Sequence, residues 1–329
     1  MLPIIDLHCD LLSYLVNVPN AHAANTQEIG CALPFLAQGK VKMQVMAIFT
    51  TSQPGSVQNA SLQLNAFQEL CKQHEEQVFP LLKKQIKFTE GKTAIILAIE
   101  NASGLLEADE SLETLFGRLD DILHRFGNLL YITFTHHTEN RFGGGNYSEV
   151  GIKQDGIELL RYMDGKGIAV DLSHTSNQLA FDILNTIDKL QLKIPVLASH
   201  SNMYAIWQHP RNLTDELIEE LIIRKGIAGV NFVRAFLHET DPNQVYEHIA
   251  YGLNKGLSMS FGADFFSTIM LNDPSRIPYF FDSLSNASQY AEILKTLMNK
   301  KGYDMETCGA LAHENAMDWL QRIGYTLMG

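Results

Sequence analysis

Short apolar runs alternate with amphipathic stretches along this chain, and that alternation limits its fold more than any other feature. The runs are PIIDLH (3–8), KMQVMAIFT (42–50), TAIILAIE (93–100), LLYITFTH (129–136), IAVDLSH (168–174), PVLASH (195–200), IAGVNF (227–232) and LSMSFGAD (257–264). Between them lie helical patterns such as SLETLFGRLDDILHRF (111–126) and NQLAFDILNTIDKL (177–190). Strands of about six residues separated by helices of roughly ten or more imply βαβ units, because parallel neighbours need a long crossover. Eight such units predict a (β/α)8 TIM barrel, with a doubly wound sheet as the alternative. DGKG and RKG, just before the fifth and seventh runs, place Lys and Gly where a helix should stop. No internal repeat, low-complexity tract or linker breaks the pattern. The 329 residues therefore read as one barrel domain, 1–329, with a helical segment near the C-terminus.

Acidic residues outnumber basic ones by 37 to 25, a net charge of −12. Nucleic acid and anionic membrane both want a basic surface, so neither is expected as a partner. No stretch approaches the roughly 20 apolar residues of a membrane span. The opening MLPIIDLHCD has neither a basic start nor a small-residue cleavage site, and the expectation is a cytoplasmic protein. Cys9, Cys31, Cys71 and Cys308 show no CxxC spacing and read as reduced thiols.

Chemistry concentrates at the ends of the apolar runs. His8 and Asp10 close the first, Glu100 the third, His136 the fourth, His174 the fifth, His200 the sixth and Asp264 the eighth. In a parallel barrel those ends share one rim, where active sites form. Period-two alternation puts Ala98, Phe134, Leu172, Ala198 and Gly262 in an apolar or small layer beneath that rim. By the same rule Asp6 faces with His8, Cys9 points away from its neighbours, and His137 points away from His136 in a packing role. Singly, a histidine there is ordinarily a hydrogen-bonded structural group and a carboxylate ordinarily a helix cap.

Together they are different. Four histidines and three carboxylates on one rim would cost several kcal/mol each to desolvate, and divalent metal offsets that cost. Imidazole with carboxylate suits zinc, with iron, manganese and cobalt left open. Seven donors are too many for one tetrahedral ion, whereas two ions sharing a carboxylate would use them. The expected arrangement gives His8 and Asp10 to one ion, His174 and His200 to the other, and Glu100 to both as a bridge. Asp264 and His136 then remain for proton transfer and oxyanion stabilisation. A water between two cations would be acidified into a hydroxide nucleophile.

The ordered set DLHCD, AIENASG, YITFTHHTEN, VDLSHTS, VLASHSNMYAIWQHPRNL, GVNFVRAFL and GADF, spanning about residues 4 to 265, resembles the membrane (renal) dipeptidase family of zinc metallopeptidases. HENAMDWL (313–320) is similar to that family's closing helix. The resemblance implies an amidohydrolase-like barrel with two Zn2+ ions per chain, held by His8, Asp10, Glu100, His174 and His200. It makes His136 a contact to the scissile carbonyl oxygen, and Asp264 the group that orients water and passes its proton to the leaving amine. It assigns Arg211 to the C-terminal carboxylate of a dipeptide substrate, a role suited to a bidentate guanidinium, ahead of Arg234. Asn140 is expected to line the substrate site. Tolerance for a D-residue at the C-terminal position, and a homodimer, are further implications.

Two departures stand beside the site. Asn101 follows Glu100 where the family carries glycine, which narrows the room for close backbone approach unless Asn101 takes positive φ; Phe266 and Ser267 follow Asp264-Phe265 where the family reads Asp-Gly. Substrate preference is therefore the feature these changes touch. The alternative reading is another binuclear metal-dependent amidohydrolase, acting on an N-acyl amino acid, lactam or lactone. A non-catalytic metal-binding barrel is disfavoured, because His136 and Asp264 are not needed merely to hold ions.

Overall fold

A computed structural model describes residues 2–271 and 273–328. Its main sheet is built from β1 (Ile4–Cys9), β2 (Val41–Phe49), β3 (Thr93–Glu100), β4 (Tyr131–Thr133), β5 (Ala169–Asp171), β6 (Val196–Ala198), β7 (Ile227–Val230) and β8 (Met259–Phe261). Every neighbouring pair is parallel, and β8 returns to pair with β1 while β2 pairs with β3, so the ring closes. This is the eight-stranded barrel that the alternation predicts, not the open sheet. A short strand, Val78–Pro80, pairs with the first half of β3, and β4 pairs with its last two residues. The expected helices are present, among them Leu112–Phe126 and Asn177–Leu190; the first ends on Gly127 in the left-handed conformation.

Two apolar clusters sit on the two faces of the sheet. Ile5, Leu7, Val45, Ile96, Leu197 and Ile227 fill the inside, joined by Trp319 and Leu320 of the C-terminal helix Asn315–Arg322. That helix covers the N-terminal ends of the strands, where Asn315 Nδ2 donates to the Met259 carbonyl. The larger cluster packs between sheet and helices. Inside, β6, β7 and β8 approach so closely that a Cβ on Gly229 or Gly262 would collide with the Ser199 carbonyl.

The strands of the far half stop earlier than their hydrophobicity suggests. β4, β5, β6 and β8 end before His136, His174, His200 and Asp264, which lie in the turns that follow. His174 and Asp264 each hold φ of 62° there, a conformation uncommon outside glycine. Alternation consequently fails at the rim. Phe134, Leu172 and Ala198 belong to the outer cluster, not to an inner layer, while Ala98 is inside as expected. The layer under the rim is polar instead: Thr133, Asp171 and Ser199 meet within the barrel.

β1 departs from regular alternation as well. A register shift between Asp6 and Cys9 lets both Leu7 and His8 turn inward. Asp6 does not share the face of His8. It accepts the Tyr290 hydroxyl among outer-core aromatics, and takes the backbone N–H groups of His8 and Ala263. Cys9 does point away, with its thiol against Met46.

Candidate metal centre and active site

Regular alternation along β3 brings Ala94, Ile96, Ala98 and finally Glu100 to the inside of the barrel. The two carboxylate oxygens of Glu100 face opposite ways. Oε2 lies 3.3 Å from Nε2 of His8. Oε1 lies 2.9 Å from Nε2 of His174 and 3.5 Å from Nε2 of His200. Asp10 Oδ1 and Asp264 Oδ1 stand 3.9 and 3.8 Å from His8 Nε2. The rings of His8 and His200 stack at 3.7 Å. Glu100 and the other four residues expected as ligands are thus gathered in one cluster, although they come from two strands, two turns that follow strands and one helix start.

All of these groups are buried, and their electrostatics show the cost. Burial, with the neighbouring Glu100 charge adding to it, pushes the Asp10 carboxyl well above its ordinary range. Burial raises Glu100 to about 8 against the pull of Arg211. Asp264 rises to about 7, again by burial, with His8 opposing and Glu100 reinforcing. Burial also holds His136, His174 and His200 well below the usual imidazole value, leaving them neutral with lone pairs available. His8 Nε2, Asp10 Oδ1 and Glu100 Oε2 have no hydrogen-bond partner among the described residues. Unpartnered imidazole nitrogens and carboxylate oxygens converging in the interior are a donor set that fits divalent metal. His8 and Asp10 could serve one position and His174 and His200 another, with Glu100 between them.

Around this cluster the remaining residues divide clearly. Asp264 Oδ2 accepts from Nδ2 of Asn231 at 2.8 Å, and the same amide donates to the His200 carbonyl at 3.1 Å. Asn231 is the next-to-last residue of the run IAGVNF; a lone amide inside an apolar run was the signal that could have singled it out. His136 packs edge-on against Phe49 at 4.8 Å and lies 4.2 Å from the His174 ring. His137 is not turned away. Its ring is 4.0 Å from His136 and 4.9 Å from His174, because the chain has left the strand before it; Nδ1 meets Asn146 Oδ1 at 2.9 Å.

Arg211 is buried, with Nη1 donating to Ser201 Oγ at 2.7 Å and Nη2 to the His200 carbonyl at 2.9 Å. Its Nε has no partner among the described residues. Arg234 is committed elsewhere, donating to the carbonyls of Pro278, Glu239 and Ser275. Asn140, expected against substrate, is turned into the scaffold. Its Nδ2 donates to Asn101 Oδ1, Ser103 Oγ and the Phe134 carbonyl, and its Oδ1 accepts from the N–H groups of Phe142 and Gly143. With its amide consumed, it borders a separate cleft. Asn101 takes φ of 71°, the conformation that spares room beside Glu100, and donates to the Thr50 carbonyl at 2.9 Å.

A cavity of about 560 Å³ opens over the cluster. Asp10, Glu100, His136, His174 and Asp264 line it, together with apolar walls from Tyr14, Val18 and Phe49, from Val233 and Phe236, and from Phe266, Met270, Leu271 and Tyr279, with Asp273 and Arg276 beside them. Phe266 and Ser267, the second departure, are part of that lining.

A closed parallel barrel with buried histidines and carboxylates clustered at the C-terminal ends of its strands defines the class of (β/α)8 barrels with the site at the usual rim. Within it, residues 1–324 match the model of the membrane dipeptidase family, peptidase family M19, and the chain belongs to that family. An uncharacterized dipeptidase of Schizosaccharomyces pombe is 34% identical over 157 residues, which are 45% of this chain and 34% of that protein. A protein encoded beside the PQQ-III region of Acinetobacter calcoaceticus is 31% identical over 180 residues, 50% of this chain and 53% of that one. The matches thus span about a third to half the length of these relatives. Among solved structures, a metallopeptidase from Rhodobacter sphaeroides liganded with a phosphinate mimic of L-Ala-D-Ala superposes with a TM-score of 0.79 at 19% identity, covering 98% of this chain and 99% of that one. A probable dipeptidase from Pseudomonas aeruginosa gives 0.77 at 14% identity, covering 98% and 95%. At such identities these two likenesses concern the fold.

Proposed function

We propose that this protein is a dipeptidase using two divalent metal ions, with zinc the favoured metal, and that the whole chain forms its catalytic barrel. The observation that carries the proposal is the split Glu100 carboxylate, one oxygen toward His8 and the other toward His174 and His200. Family membership and the dipeptide mimic held by the Rhodobacter sphaeroides structure support the substrate class. When bound, the ions would supply a strongly acidified water and polarise the scissile carbonyl.

The chain's own groups do the rest. His136, at the cavity beside His174, donates toward the carbonyl oxygen as negative charge develops there. Asp264 takes the proton of the attacking water on its carboxylate and delivers it to the leaving amine, with Asn231 holding Oδ2 in place. Arg211 provides the positive charge that meets the substrate's C-terminal carboxylate. Asp264 also receives the substrate's free amino group, and binding both ends of a substrate measures its length, so longer peptides are refused.

The test is zinc-loaded protein assayed against L,L- and L,D-dipeptides, tripeptides, N-acyl amino acids, lactams and lactones, with metal content quantified. Dipeptide hydrolysis with tripeptides refused is expected. Preference for a lactone or an N-acyl amino acid would replace the dipeptidase reading with the broader amidohydrolase one.

A further inference from the structure

We infer that two buried hydroxyls, those of Tyr131 and Ser199, set the ring tautomers of His8 and His200 and so aim one imidazole lone pair from each half of the site at the metal position. The inference rests on the metal-site reading above and adds three positioning residues to it: Tyr131, Ser199 and Asp171.

The proton positions follow from counting. Each hydroxyl has one hydrogen to donate. Tyr131 OH stands 2.9 Å from the Leu7 carbonyl and 2.8 Å from His8 Nδ1. A carbonyl can only accept, so the phenolic hydrogen goes to Leu7 and His8 Nδ1 must carry the hydrogen that meets the phenol. Ser199 Oγ stands 2.6 Å from Asp171 Oδ2 and 2.6 Å from His200 Nδ1, with Ser173 Oγ farther at 3.4 Å. The short contact to a carboxylate takes the serine hydrogen, and His200 Nδ1 is again the donor. In both rings Nε2 is left with its lone pair, and both Nε2 atoms face Glu100.

Asp171 completes the second relay. Its Oδ1 accepts the backbone N–H groups of Ser173 and Ser199 at 3.0 and 2.8 Å, and its Oδ2 also takes the Thr133 hydroxyl at 2.7 Å. Four donors therefore hold a fully buried carboxylate that touches no metal position itself. Its negative charge reaches His200 through one hydroxyl, which makes that imidazole a better donor to a cation. His174 has no such support: its Nδ1 is without a partner among the described residues. Each half of the site thus contains one oriented imidazole, His8 in one and His200 in the other.

The experiment uses the zinc-loaded full chain, with zinc affinity read by chelator competition and ring protons read by imidazole 1H–15N correlation. In the parent, Nδ1–H signals protected from exchange are expected at His8 and His200. Tyr131→Phe should weaken retention of one ion about 10- to 100-fold and expose the His8 proton alone. Ser199→Ala should do the same for the other ion and the His200 proton. Parent affinity for both ions in Tyr131→Phe, or a proton found on Nε2 of either ring, would overturn the inference. Should Ser199→Ala not fold, Tyr131→Phe and the parent spectrum still decide. Zinc held with these tautomers but no dipeptide cleaved would sink the proposed function alone, whereas cleavage with unchanged zinc affinity in both variants would sink this inference alone.

Discussion

Oε1 of Glu100 lies 2.9 Å from Nε2 of His174, while Oε2 of the same carboxylate lies 3.3 Å from Nε2 of His8. A neutral imidazole and a carboxylate at that distance repel through their lone pairs unless a proton or a metal stands between them. Glu100→Gln keeps the shape but replaces one oxygen with an amide nitrogen that does not ligate. Its expected result is loss of bound metal and a drop in hydrolysis beyond the ~100-fold typical of supporting residues. Metal analysis beside kinetics checks it, and retention of both ions would refute the bridge.

The proposed mechanism gives Asp264 a different task from the candidate ligands. Asp264→Asn leaves the contact to Asn231 nearly isosteric but removes the group that takes a proton. kcat should fall about 100- to 10,000-fold with metal content preserved. Full activity in this variant would show that the proton travels another way.

Arg211 is held by Ser201 and the His200 carbonyl, so its charge is fixed near the site rather than swinging in solvent. Arg211→Ala should raise KM for dipeptides about 10- to 100-fold, in keeping with loss of a charged hydrogen bond. A dipeptide amide, lacking the carboxylate, should be cleaved equally by parent and variant. An unchanged KM for the free dipeptide would place carboxylate capture elsewhere.

Asn101 combines φ of 71° with side-chain bonds to Thr50, Ser52 and Asn140. Asn101→Gly keeps the backbone but drops those bonds, and should cost about 1–3 kcal/mol in stability. Asn101→Ala should cost a further ~1 kcal/mol, because alanine resists positive φ. Thermal melts of the two variants separate the terms; equal losses would mean that the backbone conformation contributes nothing.

His248 is a buried neutral brace outside the cluster of candidate metal ligands. Nδ1 accepts from the Met203 N–H at 3.0 Å and Nε2 meets the Leu237 carbonyl at 3.0 Å, which steadies the loop leading to Arg211. Burial pushes this histidine down to about 4, the Leu237 carbonyl opposing. The unfolded chain therefore binds the proton first as pH falls, and this contribution to stability is present above about 6.5 and lost on going down to about 4. Its size is on the order of 3 kcal/mol. In His248→Gln the fall in stability between those pH values should be shallower than in the parent; parallel curves would refute the brace.

Local pattern alone carried a large part of this protein. Eight apolar runs alternating with helical stretches pointed to the barrel over a doubly wound sheet, because strand and helix periods are properties of neighbouring residues, and closure of the ring decided between them. Glu100 was legible by the same route: it ends a strand that keeps its alternation to the last residue. His8, His174, His200 and Asp264 were legible as residues at run ends, although not from the faces alternation assigned them.

Tertiary structure decided what happens where that regularity stops. The bulge in β1 turned Asp6 outward and His8 inward, and the early ends of β4, β5 and β6 swapped an apolar layer for Thr133, Asp171 and Ser199. It also turned Asn140 into the scaffold and His137 toward His136. Such choices depend on contacts between segments distant in the chain, each weighing a buried polar group against the partners the fold can bring to it. No period in the amino-acid order encodes those partners, which is why the candidate metal donors were legible as polar residues at run ends and the hydroxyls that meet them were not.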